Sequence, residues 1–516
     1  MKQTKLINPI LQGFYPDPSI CSVNNKFYLV NSTFSYFPGI PIFESQDLVH
    51  WHQIGNAINR NSQIKLDGNE DNEGIYAPTI RYYNGTFYII ADHETKKNKS
   101  GMFIITANKP EGPWSDPVYI KEADGIDPSL FIDNGKFYFV ATHSNSSGSK
   151  YFGDNEIYLA ELDPKSFQFI SKKYPLWRGA LRNVAWPEGP HIYKHNIYYY
   201  LVIAEAGTEF HHAITVARSR NIKGPYEGCP NNPIMTHRFL GVDYPIKNVG
   251  HADFVETSLG EWYFVCLASR QIGGYVITGR ETFLGKIKWE NDWPVLNPGY
   301  GILKRKDIIN LEPRYYPTKP NEVRSIKEDP KFVYIKNPNL RHYWYRNKKL
   351  QLIGSDNSIT GKNSPTFIGI RESSTNNYFT VTFNNLIEHN GEFGIVYYQN
   401  NQHFIAFTII ENKNGRKLKV ESKKKNASKV LWINDIKDNI KALKVKQSGL
   451  YLKFAYKVED NFRWIDCIAS ATNLSTEVAG GFLGTVCGVY LYGKNNSVDI
   501  IKIETSNNYE EKIDDD

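Results

Sequence analysis

The sequence predicts an all-β molecule, a five-bladed β-propeller followed by a β-sandwich. Three observations predict it. Aromatic residues make up 14% of the 516, with 38 Gly and 26 Pro as punctuation and only 3 Met. Aromatic and β-branched bursts between turn residues favour strands over helices. A short hairpin also recurs at blade-like spacing through the first part of the chain. Where that hairpin stops, alternating strands continue to the C-terminus. A chain of this length exceeds one ordinary core, so two or three domains are expected.

Composition excludes several classes. Lys+Arg 61 against Asp+Glu 54 leaves +7, with no basic stripe, which argues against a nucleic-acid partner. The longest strongly apolar run, Ile197 to Ala204, is far short of the roughly 20 residues of a membrane helix, so no membrane partner is expected. Met1 to Pro9 carries charge but no apolar core of a secretory leader. Cys21, Cys229, Cys266, Cys467 and Cys487 are odd in number and far apart, which reads as reduced thiols of a cytoplasmic protein.

The repeat is a turn residue, a variable residue, an aromatic residue and Tyr. It runs Asn25-Lys26-Phe27-Tyr28, Gly85-Thr86-Phe87-Tyr88, Gly135-Lys136-Phe137-Tyr138, Asn196-Ile197-Tyr198-Tyr199 and Gly260-Glu261-Trp262-Tyr263. The closing Tyr residues are 60, 50, 61 and 64 apart. A propeller blade takes about 40–50 residues before loop insertions. Eleven residues before each closing Tyr stand Asp17, Ala77, Asp127, Glu188 and Ala252. The constant offset makes these five structurally equivalent, and in a propeller such positions converge at one mouth of the central channel. A single Asp-Pro is an ordinary turn initiator. Three carboxylates at one repeat position call for a shared task.

Three converging acids suit two tasks. One is holding a hard cation such as Ca²⁺ with oxygens. The other is glycoside hydrolysis, where one carboxylic acid protonates the leaving oxygen and one carboxylate activates water or attacks the anomeric carbon. A third carboxylate keeps the acid protonated by like-charge repulsion. Glu188, between Trp186-Pro187 and Gly189-Pro190, has the apolar setting of an acid. Asp17, between Tyr15 and Ser19, has the polar setting of a base. Phe34, Phe37, Tyr76 and Trp186 offer flat faces for a sugar. Arg280 can return a cation to the acidic mouth, and His251 is expected beside the axis, holding a water or a cation.

These residues also carry a family likeness. Asn8-Pro9-Ile10-Leu11-Gln12-Gly13-Phe14-Tyr15-Pro16-Asp17-Pro18-Ser19 resembles the opening of glycoside hydrolase family 43, in its β-xylosidase and α-L-arabinofuranosidase branch with a C-terminal sandwich. The resemblance continues through Gly125-Ile126-Asp127-Pro128-Ser129-Leu130, Pro187-Glu188-Gly189-Pro190-His191, Ala204-Glu205-Ala206-Gly207-Thr208, Gly250-His251-Ala252-Asp253 and Gly279-Arg280-Glu281-Thr282. It implies inverting hydrolysis with Asp17 as general base, Glu188 as general acid, and Asp127 tuning and orienting the acid. It implies substrate contacts from Phe34, Tyr76, Arg280 and Thr208, with Glu205 on the same loop as Thr208 and His251 at the axis, holding a water or Ca²⁺ in some relatives. The family often has Trp where Tyr76 stands. No cofactor and no obligatory metal are implied.

The repeat ends near Pro298-Gly299-Tyr300-Gly301, giving a catalytic propeller over 1–303. Residues 304–330 are charged, with Pro313, Pro317, Pro320 and Pro330, and read as an irregular connector. Alternating strands such as Tyr378 to Phe383 and Leu450 to Phe454 predict a sandwich over 331–508, before an acidic tail over 509–516. This part resembles the concanavalin-like (jelly-roll) domain of the same branch. The resemblance sends a sandwich loop over the propeller mouth, with Phe482 as its aromatic. The expected activity is exo-acting release of terminal β-1,4-linked D-xylose from xylo-oligosaccharides. The alternatives are α-L-arabinofuranosidase or dual activity on arabino-oligosaccharides, a non-catalytic carbohydrate-binding propeller, and a retaining fructan-cleaving propeller. Assembly into a homo-oligomer is left open.

Overall fold

The computed structural model describes residues 3–97, 100–181, 184–315, 329–346, 349–387, 390–412 and 415–507. The acidic tail and the connector's Pro317 and Pro320 lie outside the described residues.

Five four-stranded antiparallel sheets follow one another along the first 296 residues, each with its strands in chain order. Their first strands are Ser19–Val23, Gly74–Tyr83, Ile126–Asp133, Glu188–His195 and Ile246–Glu256. Each touches the first strands of both neighbouring sheets, so the five close a ring around an axis. The predicted hairpins join first to second strands: Val23 pairs with Lys26, Tyr83 with Thr86, Asp133 with Lys136 and His195 with Tyr198. Asn24, Asn84, Asn134 and Asn196 take the positive φ that two-residue hairpin turns demand. The aromatic residue that follows packs inward, with Phe27, Phe87 and Phe137 all buried.

Among the described residues no blade borrows a strand from another. The ring is tied instead by the N-terminal segment. Thr4–Ile7 pairs with Lys306–Ile309, and Asn8 exchanges two hydrogen bonds of 2.9 Å with the backbone of Leu284 in blade five. The connector, expected to be irregular, therefore begins with a strand, because an exposed strand edge takes up any partner with free backbone groups.

Below the mouth, the axis is filled by a buried polar network. Asp253 accepts from Arg81 Nη1 (2.9 Å), Arg81 Nη2 (3.1 Å), Ser19 Oγ (2.6 Å) and Tyr193 Oη (2.5 Å). Arg81 Nη2 also meets His191 Nδ1 at 3.1 Å. Blades one, two, four and five are thus clamped to one carboxylate. The guanidinium holds that carboxyl below the usual carboxylate range despite the opposing effect of burial.

The C-terminal part is a sandwich of a seven-stranded and a six-stranded antiparallel sheet. Phe379, Val381, Phe393, Ile395, Phe407, Leu443 and Phe454 fill the space between them. Tyr451–Val458 alternates exposed and buried residues at its start, the period-2 pattern of a half-buried strand. The sandwich is bonded to the propeller: Tyr334–Ile335 pairs with Tyr36–Phe37, and Tyr398 Oη donates to Asp71 Oδ2 at 3.0 Å. All five cysteines are free and buried. Among the described residues no helix is long and apolar enough to cross a membrane.

Candidate active site

Each innermost strand begins with a break in its ladder, and the break aims the site. In blades two, three and four, the pairs Tyr76–Asp92, Ile126–Thr142 and Glu188–Ala204 are followed by two unpaired residues before pairing resumes at Thr79, Ser129 and His191. The second unpaired residue is a proline in each case, which has no N–H to give the ladder. The first is Ala77 (φ 35), Asp127 (φ 57) or Gly189 (φ 59), and the matching residues of blades one and five are Asp17 (φ 51) and His251 (φ 50). Left-handed backbone at non-glycine residues costs on the order of 1–3 kcal/mol each. Here that strain turns the side chains of one row toward the axis.

This register corrects the eleven-residue equivalence. Asp17, Ala77 and Asp127 do occupy one row, but that row's fourth and fifth members are Gly189 and His251. Glu188 is in the preceding row, level with Tyr76 and Ile126, and Ala252 is in the following one. The slip has a physical origin. Tyr198-Tyr199-Tyr200 offers two equally good aromatic pairs, and blade five replaces the two-residue turn with the five residues between Glu256 and Trp262. Glu188 still reaches the same place, because its longer side chain starts one residue earlier.

The two rows open into a pocket of about 80 Å³ lined by Asp17, Phe34, Tyr76, Ile126, Asp127, Glu188, Thr208, His212, His251, Leu267, Arg280 and Phe482. The three acids and Phe34, Tyr76, Thr208, His251, Arg280 and Phe482 are all among them. Phe37 and Trp186 are not: Phe37 packs in the core against the sandwich bridge, and Trp186 stands edge-on to Phe152 at 5.5 Å. Glu205 is buried beneath the Thr208 loop, accepting from the backbone N–H of Ala180 and Leu181 and from Thr215 Oγ1. It anchors the Ala180–Leu181 backbone and does not line the pocket.

Asp17 and Glu188 sit in opposite electrostatic settings. Burial would raise the Asp17 carboxyl, but Arg280 Nη1 donates to Oδ1 at 3.0 Å, His251 lies 3.9 Å away, and Ser32 Oγ donates to Oδ2 at 2.6 Å. Together they hold it below the usual range, so it stays ionised. Glu188 has no such partner. Burial pushes its carboxyl well above the usual range, the charges of Asp127 and then Asp17 add to this, and Arg280 opposes them only in part. Burial also raises Asp127, with His251 opposing and Asp17 reinforcing. Asp127 Oδ2 accepts from the N–H of Gly189, the residue after Glu188, at 2.9 Å. Gly189 needs its missing Cβ, since one would stand 3.1 Å from the His251 ring in a left-handed conformation.

One side of the pocket is apolar and built from both domains. Phe34 and Phe482 stack at 5.8 Å, Tyr76 meets Phe482 edge-on at 6.3 Å, and the Arg280 guanidinium lies 5.6 Å from both phenyl rings. The Phe482 loop is pinned to the propeller by a bond from its N–H to Asn72 Oδ1 (2.8 Å). Arg280 Nη1 also donates to Thr208 Oγ1 at 3.1 Å.

Ser32, His212 and Leu267 were not legible as site residues. Ser32 bridges Asp17 to the N–H of Ala77, and its only sequence signal was its place before Thr33-Phe34. His212 packs flat on Gly250, and burial lowers its imidazole to about 3, so it is neutral. Near His251 the axis offers the imidazoles of His191 and His212 and the Asp17 carboxylate, whose Oδ1 lies 3.9 Å from His251 Nδ1. Among the described residues no group of three or more His, Cys, Asp or Glu is placed to hold a metal.

Comparison with known proteins agrees with this geometry. The model for glycosyl hydrolases family 43 matches residues 6–294, and that for the β-xylosidase C-terminal concanavalin A-like domain matches residues 325–501. A xylosidase/arabinosidase of Butyrivibrio fibrisolvens is 42% identical over 97% of each chain. A non-reducing-end α-L-arabinofuranosidase of Bacteroides ovatus is 35% identical over 96% of this chain and 93% of its own. The crystal structure of a xylan β-1,4-xylosidase from Bacillus halodurans superposes with a TM-score of 0.92 at 28% identity, over 97% of this chain and all of the other. With its propeller, its sandwich and nearly its whole length matched in this way, the chain belongs to glycoside hydrolase family 43.

Proposed function

We propose that this glycosidase removes terminal β-1,4-linked D-xylose from the non-reducing end of xylo-oligosaccharides, with inversion at the anomeric carbon. The observation that carries the proposal is one pocket holding a carboxyl kept ionised and a carboxyl kept protonated, the division of labour that glycoside hydrolysis requires. Asp17, fixed by Arg280 and Ser32, takes a proton from the attacking water. Glu188 gives its proton to the leaving oxygen. Asp127 keeps Glu188 protonated by its charge and positions it through the Gly189 N–H.

Phe34, Tyr76 and Phe482 take the C–H face of the sugar, while Arg280 and Thr208 hydrogen-bond its hydroxyls. The small pocket, closed on one side by the sandwich loop, suits one terminal sugar rather than a running chain. A cytoplasmic location is part of the proposal, supported by the five buried free thiols, and cell fractionation tests it.

A second reading, α-L-arabinofuranosidase activity, is favoured by the relatives, one named for that activity and one for both. Tyr76 bears on it: its hydroxyl donates to the Asn72 carbonyl, which fixes the ring at the sugar subsite. Initial rates on nitrophenyl β-D-xylopyranoside and α-L-arabinofuranoside decide between them, and a larger kcat/KM on the arabinoside reverses the assignment. Proton NMR of the first-formed sugar tests inversion, and a β-anomer released first from xylobiose rules it out.

A further inference from the structure

A second cavity, of about 170 Å³, lies between propeller and sandwich and shares no lining residue with the catalytic pocket. Gln12 and Tyr15 line it from the propeller's entry segment, and Arg371, Glu372, Asn377 and Cys487 from the sandwich. Arg371 ends the strand Thr366–Arg371 and is only 6% exposed. Among the described residues, its Nε, Nη1 and Nη2 are all buried without a hydrogen-bond partner. Arg81, Arg270 and Arg280, three further arginines in the interior of this molecule, each meet a carboxylate at 3.0 Å or less.

The setting selects the missing partner. The Tyr15 ring lies 4.7 Å from the Arg371 guanidinium carbon and covers one face of the fork, leaving its edge for a ligand. Glu372 is on the same wall but is engaged elsewhere, accepting from the Ser374 N–H (3.2 Å) and from Asn377 Nδ2. Lys331, at the rim, pairs with Asp329 at 3.3 Å. The cavity holds about six waters' worth of space at ~30 Å³ each, enough for a tetrahedral anion with part of its hydration. An unpaired buried cation is disfavoured unless an anion or solvent answers it, and a planar fork answers oxyanions in two-point fashion.

We propose that this cavity binds a small oxyanion of the phosphate or sulfate class, held by the Arg371 fork, which staples the sandwich to the Gln12–Tyr15 segment just ahead of Asp17. Two experiments test it on the full chain. Crystals grown with selenate, a heavier sulfate, should show anomalous density within hydrogen-bond reach of Arg371, and ordered water alone there overturns the proposal. Calorimetric titration with inorganic phosphate at fixed ionic strength should show saturable binding, weakened at least about tenfold in Arg371→Met and less in Arg371→Lys. Equal binding by Arg371→Met overturns it, and the selenate result on the unaltered chain stands even if that variant fails to fold. A chain ending at Asn507 separates a free anion from Glu510, Glu511 and Asp514 to Asp516. Binding unchanged by their removal supports a free anion, and binding that arises only after it assigns the site to those carboxylates and overturns the proposal.

Discussion

The propeller and the sandwich bury opposite kinds of interior. The sandwich packs two sheets face to face, and its centre is almost entirely aliphatic and aromatic. The propeller has comparable apolar layers between its blades, but its axis is polar, with Asp253 clamped by Arg81, Ser19 and Tyr193 below and Asp17, Asp127 and Glu188 above. The difference is geometric. Facing sheets present a continuous surface that apolar side chains tile, whereas five strand ends meeting at an axis leave unpaired backbone and a narrow space. Groups there can be charged provided each has a partner. Carboxylates in differing settings therefore converge at the axis, whereas the sandwich's buried Glu372 lies away from the catalytic pocket, which the sandwich reaches through one loop.

Substitutions at the axis and in the loop should separate these contributions. The largest effect is expected from Asp17→Ala, which removes the base: kcat on xylobiose should fall at least about a thousandfold while calorimetry still detects sugar binding. Turnover near the parent's would remove Asp17 from the chemistry. Glu188→Ala should lose about 10²–10⁴-fold on xylobiose but far less on a nitrophenyl xyloside, whose leaving group needs little protonation. Equal losses on both substrates would contradict its role as acid.

Asp253→Ala leaves Arg81 buried without its counter-charge, and urea unfolding should show the protein about 3–5 kcal/mol less stable. A change within 1 kcal/mol, on the order of a surface substitution, would mean the axial clamp is not a source of stability. Phe482→Ala tests the sandwich's share: kcat/KM should drop about tenfold, roughly 1.4 kcal/mol, with the unfolding midpoint unchanged. An unaltered kcat/KM would confine the sandwich to a supporting role.

The smallest effect concerns pH. Activity needs Asp17 ionised and Glu188 protonated, so it declines on the acid side as Asp17 takes a proton and on the alkaline side as Glu188 loses one. Asp127→Asn removes a negative charge beside Glu188, lowers that group's raised pKa, and should move the alkaline limb of kcat/KM to lower pH. A limb that stays in place would show that burial and Asp17, not Asp127, hold the proton on Glu188.

Much of this was legible in the chain. Recurring turn–aromatic pairs marked every blade, since a two-residue hairpin requires particular turn residues and the aromatic that follows must fill the gap between sheets. The Asp-Pro and Glu-Gly-Pro sites were legible because proline breaks the ladder where a side chain must turn inward. Register was less so. A run of three tyrosines and one longer turn hid the fact that Glu188 stands a row apart from Asp17 and Asp127. Ser32 and His212 carried no repeating signal, because each makes contacts between two blades that no other blade repeats.

The sequence by itself determined the two β domains, the number of blades and the identities of the three acids, because those follow from local periodicity and turn chemistry. Only the tertiary structure decided that Ser32 and Arg280 together claim Asp17, that Glu188 stands a row apart from Asp17 and Asp127, and that Arg371 is buried without a partner among the described residues. Burial and charge pairing depend on residues far apart in the chain meeting at one place, and that is a property of the folded molecule.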